Sequence, residues 1–411
     1  MNILTKPALT LLITCFVNQL FSQNFTARFI KTVTFNTQEN INPIIPLGNK
    51  LKIGFDDLEG DQKNYRYFIQ HCNYNWEVSG LQSTEYINGF QSFEILNLEN
   101  SFGTYQNYTH HKFEIPNRNT RIKISGNYIL TVMNDDDEIC IQRRFVLYES
   151  QIVISGKVVR DRSLKSIDYK QVVNFSIIHP NITINNPSKE IKVVIVQNND
   201  WNLAKSNIKP QYFKKNEIVY NYNAETSYFG NNEFLNFDTK NFNGTNVNIS
   251  RSILKDHYYH SYLYPNIARN YLPYTYYPDI NGGYVIRTLN GNEATVESEY
   301  TNVHLFLKSS PKEEFNESIY IYGAFNNYAF TEENRLKFNN KTNYLETEIL
   351  FKQGFYSYTH VIKKESNEID MTSVDGSYQE TENNYTILVY YQPFGQRIGR
   401  IVGATTINSK N

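Results

Sequence analysis

The chain has 411 residues, 40% hydrophobic and 20% charged, with a formal net charge of -1; it can bury sizeable cores, and its length points to two to three domains. The near-neutral balance offers no long-range attraction to nucleic acid or to an anionic membrane surface. Three cysteines exclude a disulfide-dense scaffold and a cysteine-rich zinc module, while 33 tyrosines and 26 phenylalanines favour strands.

Lys6 precedes an apolar run from Ala8 to Leu20, closed by Phe21-Ser22-Gln23. This is the layout of a secretory signal peptide, too short for a membrane span, so residues 1–22 are expected to be removed, Cys15 with them, and the rest exported. Strand patterns follow almost without interruption. Gly126–Met133 reads as a strand leading into a turn at Asn134–Asp137, and Gln151–Gly156, Ile191–Val196, Val303–Leu307, Ile319–Tyr322 and Leu345–Phe351 extend the series. No run carries a capped amphipathic helix; Trp201–Lys205 suits one short turn. Short strands between turn signals such as Leu58–Asp61, Asn281-Gly282-Gly283 and Asn290-Gly291 predict an all-β chain of three tandem β-sandwiches. The expected units are 23–149, 150–300 and 301–411. Within the second, Asp256–Asp279 carries eight tyrosines among prolines and asparagines, which predicts a connection lying over a domain surface.

His71 and Cys72 are adjacent, so on a strand they point to opposite faces and cannot share a metal or form a nucleophile–base pair. A thiol hydrolase would need a distant partner for Cys72, and no signature surrounds it. Cys72 and Trp76 read as a buried strand end and turn. A disulfide from Cys72 to Cys140 is open to an exported protein if the two strands bring them within reach. Asp135-Asp136-Asp137 lacks the alternating ligands and turn glycine of a calcium loop and reads as a solvated hairpin tip. His110 and His111 point to opposite faces without a second ligand pair, and Asp56-Asp57-Leu58-Glu59 favour a turn. No nucleotide loop, nucleophile elbow or zincin helix is present. No catalytic residue, cofactor, metal or small-molecule ligand is expected.

Ile321-Tyr-Gly-Ala-Phe-Asn-Asn327, Tyr344–Ile349 and Gly354–Tyr358 resemble the immunoglobulin-like early-set modules of polysaccharide-active proteins. The tryptophan that usually follows the Phe-Asn pair is absent, with Tyr328 and Phe330 nearby. That resemblance implies a fold and an alternative function, glycan binding through the third unit.

A wider resemblance begins at His71-Cys72-Asn73-Tyr74-Asn75-Trp76 and continues through Ser79, Leu81, Glu85, Tyr86, Gly89, Phe90, Ser101, Phe102, Tyr108, His110, Phe113, Pro116, Gly126 and Tyr128. Asn231–Phe234 with Phe237-Asp238, Asp279 with Asn281-Gly282, Pro393–Gln396 and Thr406–Ser409 carry it to the far end of the chain. The whole is similar to the plug proteins of the type IX secretion system, with departures at Asn75 and Asn232, where an acidic residue and a glycine are usual. The resemblance implies a non-enzymatic periplasmic protein of a Bacteroidetes-type bacterium. It would seal the periplasmic mouth of a large outer-membrane β-barrel translocon, its expected partner. Tyr and Asn on loops suit adaptable recognition, so Tyr258, Tyr259, Tyr262, Tyr264, Tyr271, Tyr274, Tyr276 and Tyr277 are the expected contact region. Trp76, Tyr86 and Phe90 are expected to lock a supporting loop onto the first sandwich.

Overall fold

Alternating and continuous apolar runs both become strands in a computed structural model, which describes residues 24–36, 43–244, 246–308 and 318–410. The segment expected to be a signal peptide lies outside the described residues. Gly126–Met133 forms as expected, and Tyr344–Lys352, Ser318–Tyr322, Ile191–Gln197 and Tyr300–Lys308 each contain the predicted run. The chain is nearly all β. Its α-helices among the described residues are single turns, Ser83–Tyr86, Pro187–Glu190 and Ala294–Glu297, and Trp201–Leu203 is the short 3-10 turn the sequence suggested.

The strands pair into sheets that enclose three main cores. In the first, the sheet holding Arg66–Cys72, Gly126–Met133 and Ile139–Tyr148 packs against the sheet of Ile30–Asn36, Leu51–Asp57, Thr109–Ile115 and Asn97–Asn100. Phe55, Tyr67, Tyr128, Leu130 and Phe145 fill the space between. The Asp135–Asp137 tip joins two strands of this sandwich and is exposed, as expected.

The second core lies between the sheet of Val153–Arg160, Lys170–Ile178, Glu217–Tyr220 and Tyr212–Lys214 and a sheet ordered Lys205–Ser206, Ile191–Gln197, Asn384–Tyr391, Arg400–Asn408. The third is closed by Leu235–Asp238, Gly354–Lys363 and Tyr284–Ile286 on one side. On the other lie Ile249–Lys255, Tyr258–Leu263, Tyr300–Lys308, Tyr344–Lys352 and Lys337–Asn339.

This topology corrects the tandem boundaries. Residue 300 falls inside a sheet, because Tyr258–Leu263 pairs in parallel with Tyr300–Lys308. The last two strands belong to the second sandwich, where Asn384–Tyr391 pairs along the full length of Ile191–Gln197. The third sandwich is thus inserted between strands of the second. Local periodicity marks strands but carries no information on which distant strand completes a sheet.

The packing of Ile191–Gln197 also explains its continuous apolar run, residues 193–196. Val193 and Ile195 enter the second core, while Val194 and Val196 face Cys72, Trp76, Ile129 and Val146 of the first sandwich. A strand buried on both faces needs no polar alternation.

Candidate functional site

The residues from His71 to Tyr128 that carried the resemblance are mostly internal bracing. His71 is buried, with Nδ1 2.9 Å from Ser79 Oγ and its ring edge-on to Tyr128 at 5.1 Å. Burial pushes its imidazole down to about 4, so it is neutral at neutral pH. Gly126 is needed against that ring, because a Cβ there would sit 2.3 Å from His71 Nε2. The Tyr128 hydroxyl donates to Ile124 O at 2.7 Å and its ring stacks on Phe145.

After Cys72 the chain turns tightly. Trp76, at φ 68°, donates its N–H to Asn73 O, and its indole meets Trp201 of the second sandwich edge-on at 4.9 Å, with the Arg144 guanidinium 4.6 Å from its ring centre. Asn127 Nδ2 reaches Asn73 O, and Tyr390 of the second sandwich donates to Asn127 Oδ1. Glu85 closes the first turn of Ser83–Tyr86 by accepting from Gln82 N and pairs with Arg397. Tyr86 is buried and receives Gln91 Nε2. Gly89 has φ 100° and passes against Asn119 O. Trp76 and Tyr86 are buried, whereas Phe90, expected to lock the loop with them, is 60% exposed: its backbone N–H donates to Asn119 O, its carbonyl accepts from Thr120 Oγ1, and its ring lies 6.0 Å from that of Phe93. Ser101 Oγ accepts from Tyr108 N, and Phe102, also exposed, donates its backbone N–H to Val296 O of the third sandwich.

The Cys72–Cys140 disulfide is also corrected. Both thiols are free and buried. Cys72 packs on the face turned to the second sandwich, Cys140 in the first core, on the opposite side of the same sheet. Their neighbours are also at opposite ends: Cys72 lies across from Asn127, whereas Cys140 is beside Ile139, the partner of Met133. Burial pushes Cys72 up to about 12 and Cys140 up to about 11, which suppresses the thiolate a nucleophile needs.

Sequence reasoning missed the polar centre that joins the first sandwich to the third. Asp56 and Asp57, expected in a turn, end a strand and are wholly buried. Asp56 accepts from Lys352 Nζ at 2.7 Å, the Tyr300 hydroxyl at 2.6 Å and His110 Nδ1 at 2.6 Å. Burial alone would raise its pKa, but Lys352 and His110 outweigh it and hold the carboxyl below its ordinary range. Lys352 donates also to Thr295 O and lies over the Tyr108 ring at 4.0 Å. The ammonium is fully engaged in structure. No local signal could have revealed it, since the partners are 296 positions apart in sequence.

A second polar centre lies within the third sandwich and holds Asn232, Phe234, Asp279 and Gly282 of the resemblance motifs, whereas Thr406 pairs with Thr386 in the second sandwich and Phe394 is exposed. Asp279 Oδ2 accepts from Phe234 N, and Gly282, at φ 78°, lies against the Phe234 ring. Asn232 Nδ2 donates to Asp375 O, and Asp375 receives Arg269 Nε at 2.9 Å, Thr359 Oγ1 and His360 N. Nearby, the Tyr322 hydroxyl donates to Asp200 at 2.7 Å and Tyr328 donates to Asn198 O.

A cleft of about 1120 Å³ opens where all three sandwiches meet, with Thr34, His110, Asn199, Tyr284 and Lys352 in its wall. Of its charged lining, His110 and Lys352 are paired with Asp56, Lys112 with Glu99, and Glu114 with Lys50. In the third sandwich Tyr328 is buried, Phe325 packs on Phe351 and Phe330 on Tyr322. In the tyrosine-rich segment, Tyr258, Tyr259 and Tyr262 lie on a strand, which corrects the expectation of one continuous surface connection. Tyr258, Tyr264, Tyr271, Tyr276 and Tyr277 are exposed. Tyr274 instead donates to Glu233.

These features define a class: an all-β, multi-sandwich protein whose distinctive residues hold its units in fixed register. Residues 30–149 match the family model described as the type 9 secretion system plug protein 1st domain, and this domain belongs to the type IX secretion system plug family. The chain is similar to a crystal structure of a hypothetical protein from Parabacteroides merdae ATCC 43184, with 29% identity and a TM-score of 0.89 across 94% of this chain and 98% of that one. No curated protein matches it.

Proposed function

We propose that the protein is a non-enzymatic periplasmic plug that binds the outer-membrane barrel of the type IX translocon and closes its periplasmic opening. The family match over residues 30–149 carries this reading. The likeness over almost the whole length of a second bacterial protein supports treating the three sandwiches as one functional body. Sealing a wide aqueous lumen requires a stiff object and an interface of at least standard size, about 1,200 to 2,000 Å². The buried contacts of Asp56 with Lys352, of Asp200 with Tyr322 and of Trp76 with Trp201 supply stiffness across the junctions. Exposed Tyr264, Tyr271, Tyr276 and Tyr277 offer amphipathic contact area at low entropic cost.

The test is an affinity isolation of the tagged protein from solubilised outer membranes, followed by conductance of the recovered barrel. Recovery of a very large barrel whose conductance falls on adding the protein is expected. A barrel that conducts equally with and without it would defeat the sealing role. Loss of barrel recovery on replacing the four exposed tyrosines by serine would assign the contact surface, and undiminished recovery would move it elsewhere.

A further inference from the structure

Two imidazoles meet on the outer face of the third sandwich. Val303, Leu305 and Leu307 point into its core, so His304, alternating with them, points outward. Tyr262 lies opposite His304 on one neighbouring strand and Glu348 on the other. His260 is two residues before Tyr262 and therefore on the same face. The Tyr262 ring stacks on the His304 imidazole at 4.2 Å and 3° between planes, which fixes the ring's orientation.

His260 Nδ1 and His304 Nε2 are 3.0 Å apart, while Glu348 Oε2 lies 3.6 Å from the other ring nitrogen, His304 Nδ1. A carboxylate beside Nδ1 favours the tautomer that carries its proton there. His304 Nε2 then directs its lone pair toward His260 Nδ1, the arrangement by which carboxylates orient metal-binding histidines. A tetrahedral ion with Zn–N bonds of about 2.0–2.1 Å needs its two nitrogens roughly 3.3 Å apart, only a few tenths of an ångström more than the present separation. His260 and His304 are partly exposed and Glu348 is exposed, so the position is open to solvent. Imidazole donors select zinc, copper or nickel over magnesium or calcium.

We propose that His260 and His304 bind a divalent transition-metal ion of the zinc class, with Glu348 as the positioning residue for His304 and water completing the coordination. The proposal does not depend on the plug reading. It follows from three residues that converge across adjacent strands, 44 positions separating the two histidines.

Untagged protein, stripped with a chelator, is titrated with zinc by calorimetry, and its copper complex is examined by electron paramagnetic resonance. One ion per chain is expected, with two imidazole nitrogens in the copper spectrum. His304→Ala and His260→Gln should each abolish this site, and Glu348→Gln should weaken it by roughly 10–100-fold. Unfolding curves in chelator should be alike for variants and wild type, because the side chains face outward. No binding at micromolar zinc would mean that the histidines form only a hydrogen-bonded pair and would overturn the proposal. So would affinity unchanged in both histidine variants. Should neither variant fold, a wild-type copper spectrum with fewer than two imidazoles is equally decisive against it.

Discussion

Asp56 shows how one carboxylate can hold two sandwiches together. It collects Lys352, Tyr300 and His110 in a fully buried position, so Asp56→Ala would leave the buried Lys352 ammonium without its counter-charge. Denaturant unfolding should show a loss of about 3–5 kcal/mol, the usual cost of breaking rather than replacing a buried pair. Asp200 behaves in the opposite sense. Burial pushes it up to about 7, against the opposing hydrogen bonds from Tyr322 and the Asn202 N–H. A carboxyl that keeps its proton in the folded state but releases it at about 4 when unfolded contributes stability that is present at low pH and lost as pH rises through about 7. Asp200→Asn removes that loss and lets an amide oxygen accept from Tyr322. Relative to wild type, the variant should gain about 2–4 kcal/mol between about pH 4 and about pH 8, measured by unfolding at both ends of the range. A flat difference would show that Asp200 is ionised throughout. Asp279, also pushed up to about 7 by burial, is present in both proteins and cancels from the comparison.

Strands were legible because each needs only its own periodicity. Gly126–Met133 was read to its ends, and Tyr344–Lys352 was read to within one residue at each. Close approach between strands was not. Gly126 looks like any glycine at a strand start, yet the His71 ring occupies the space beside it. Gly126→Ala should cost about 1–3 kcal/mol or more in denaturant unfolding, because His71 is held by Ser79 and Tyr128 and has no room to retreat. Gly80→Ala is the matched control: its Cβ would meet nothing within 4 Å, and its stability should be unchanged or slightly raised. The same limitation explains Asp56 and Asp57. Two adjacent aspartates suit a turn by composition, and only Lys352, Tyr300 and His110 make a strand end in the interior tolerable for Asp56; Asp57 is met by Lys63 and the Tyr65 hydroxyl.

The whole molecule is threaded so that its second sandwich is finished last. A fragment of residues 301–411 would keep Asn384–Tyr391 without Ile191–Gln197, and Tyr300–Lys308 largely intact but without Tyr258–Leu263. It should lack amide chemical-shift dispersion or aggregate. A fragment of residues 231–379 retains every strand of the third sandwich and should give the dispersed spectrum of a folded β-protein. Dispersion in the first and not in the second would restore a tandem arrangement. Loop-closing contacts of this range carry no local sequence signature, so the insertion could not be read from turns and composition.

The sequence by itself determined the all-β class, the positions of most long strands, and the membership of the first domain, whose motif residues from His71 to Tyr128 are dense and closely spaced. Those properties depend on neighbours within a few positions of one another. Tertiary structure alone decided that Cys72 and Cys140 face opposite sides of a sheet, that Phe90 is exposed, that Asp56 meets Lys352, and that His260 meets His304. Each of these depends on which distant strands lie side by side. That choice is made by the summed burial and pairing of whole sheets, and no single stretch of sequence contains it.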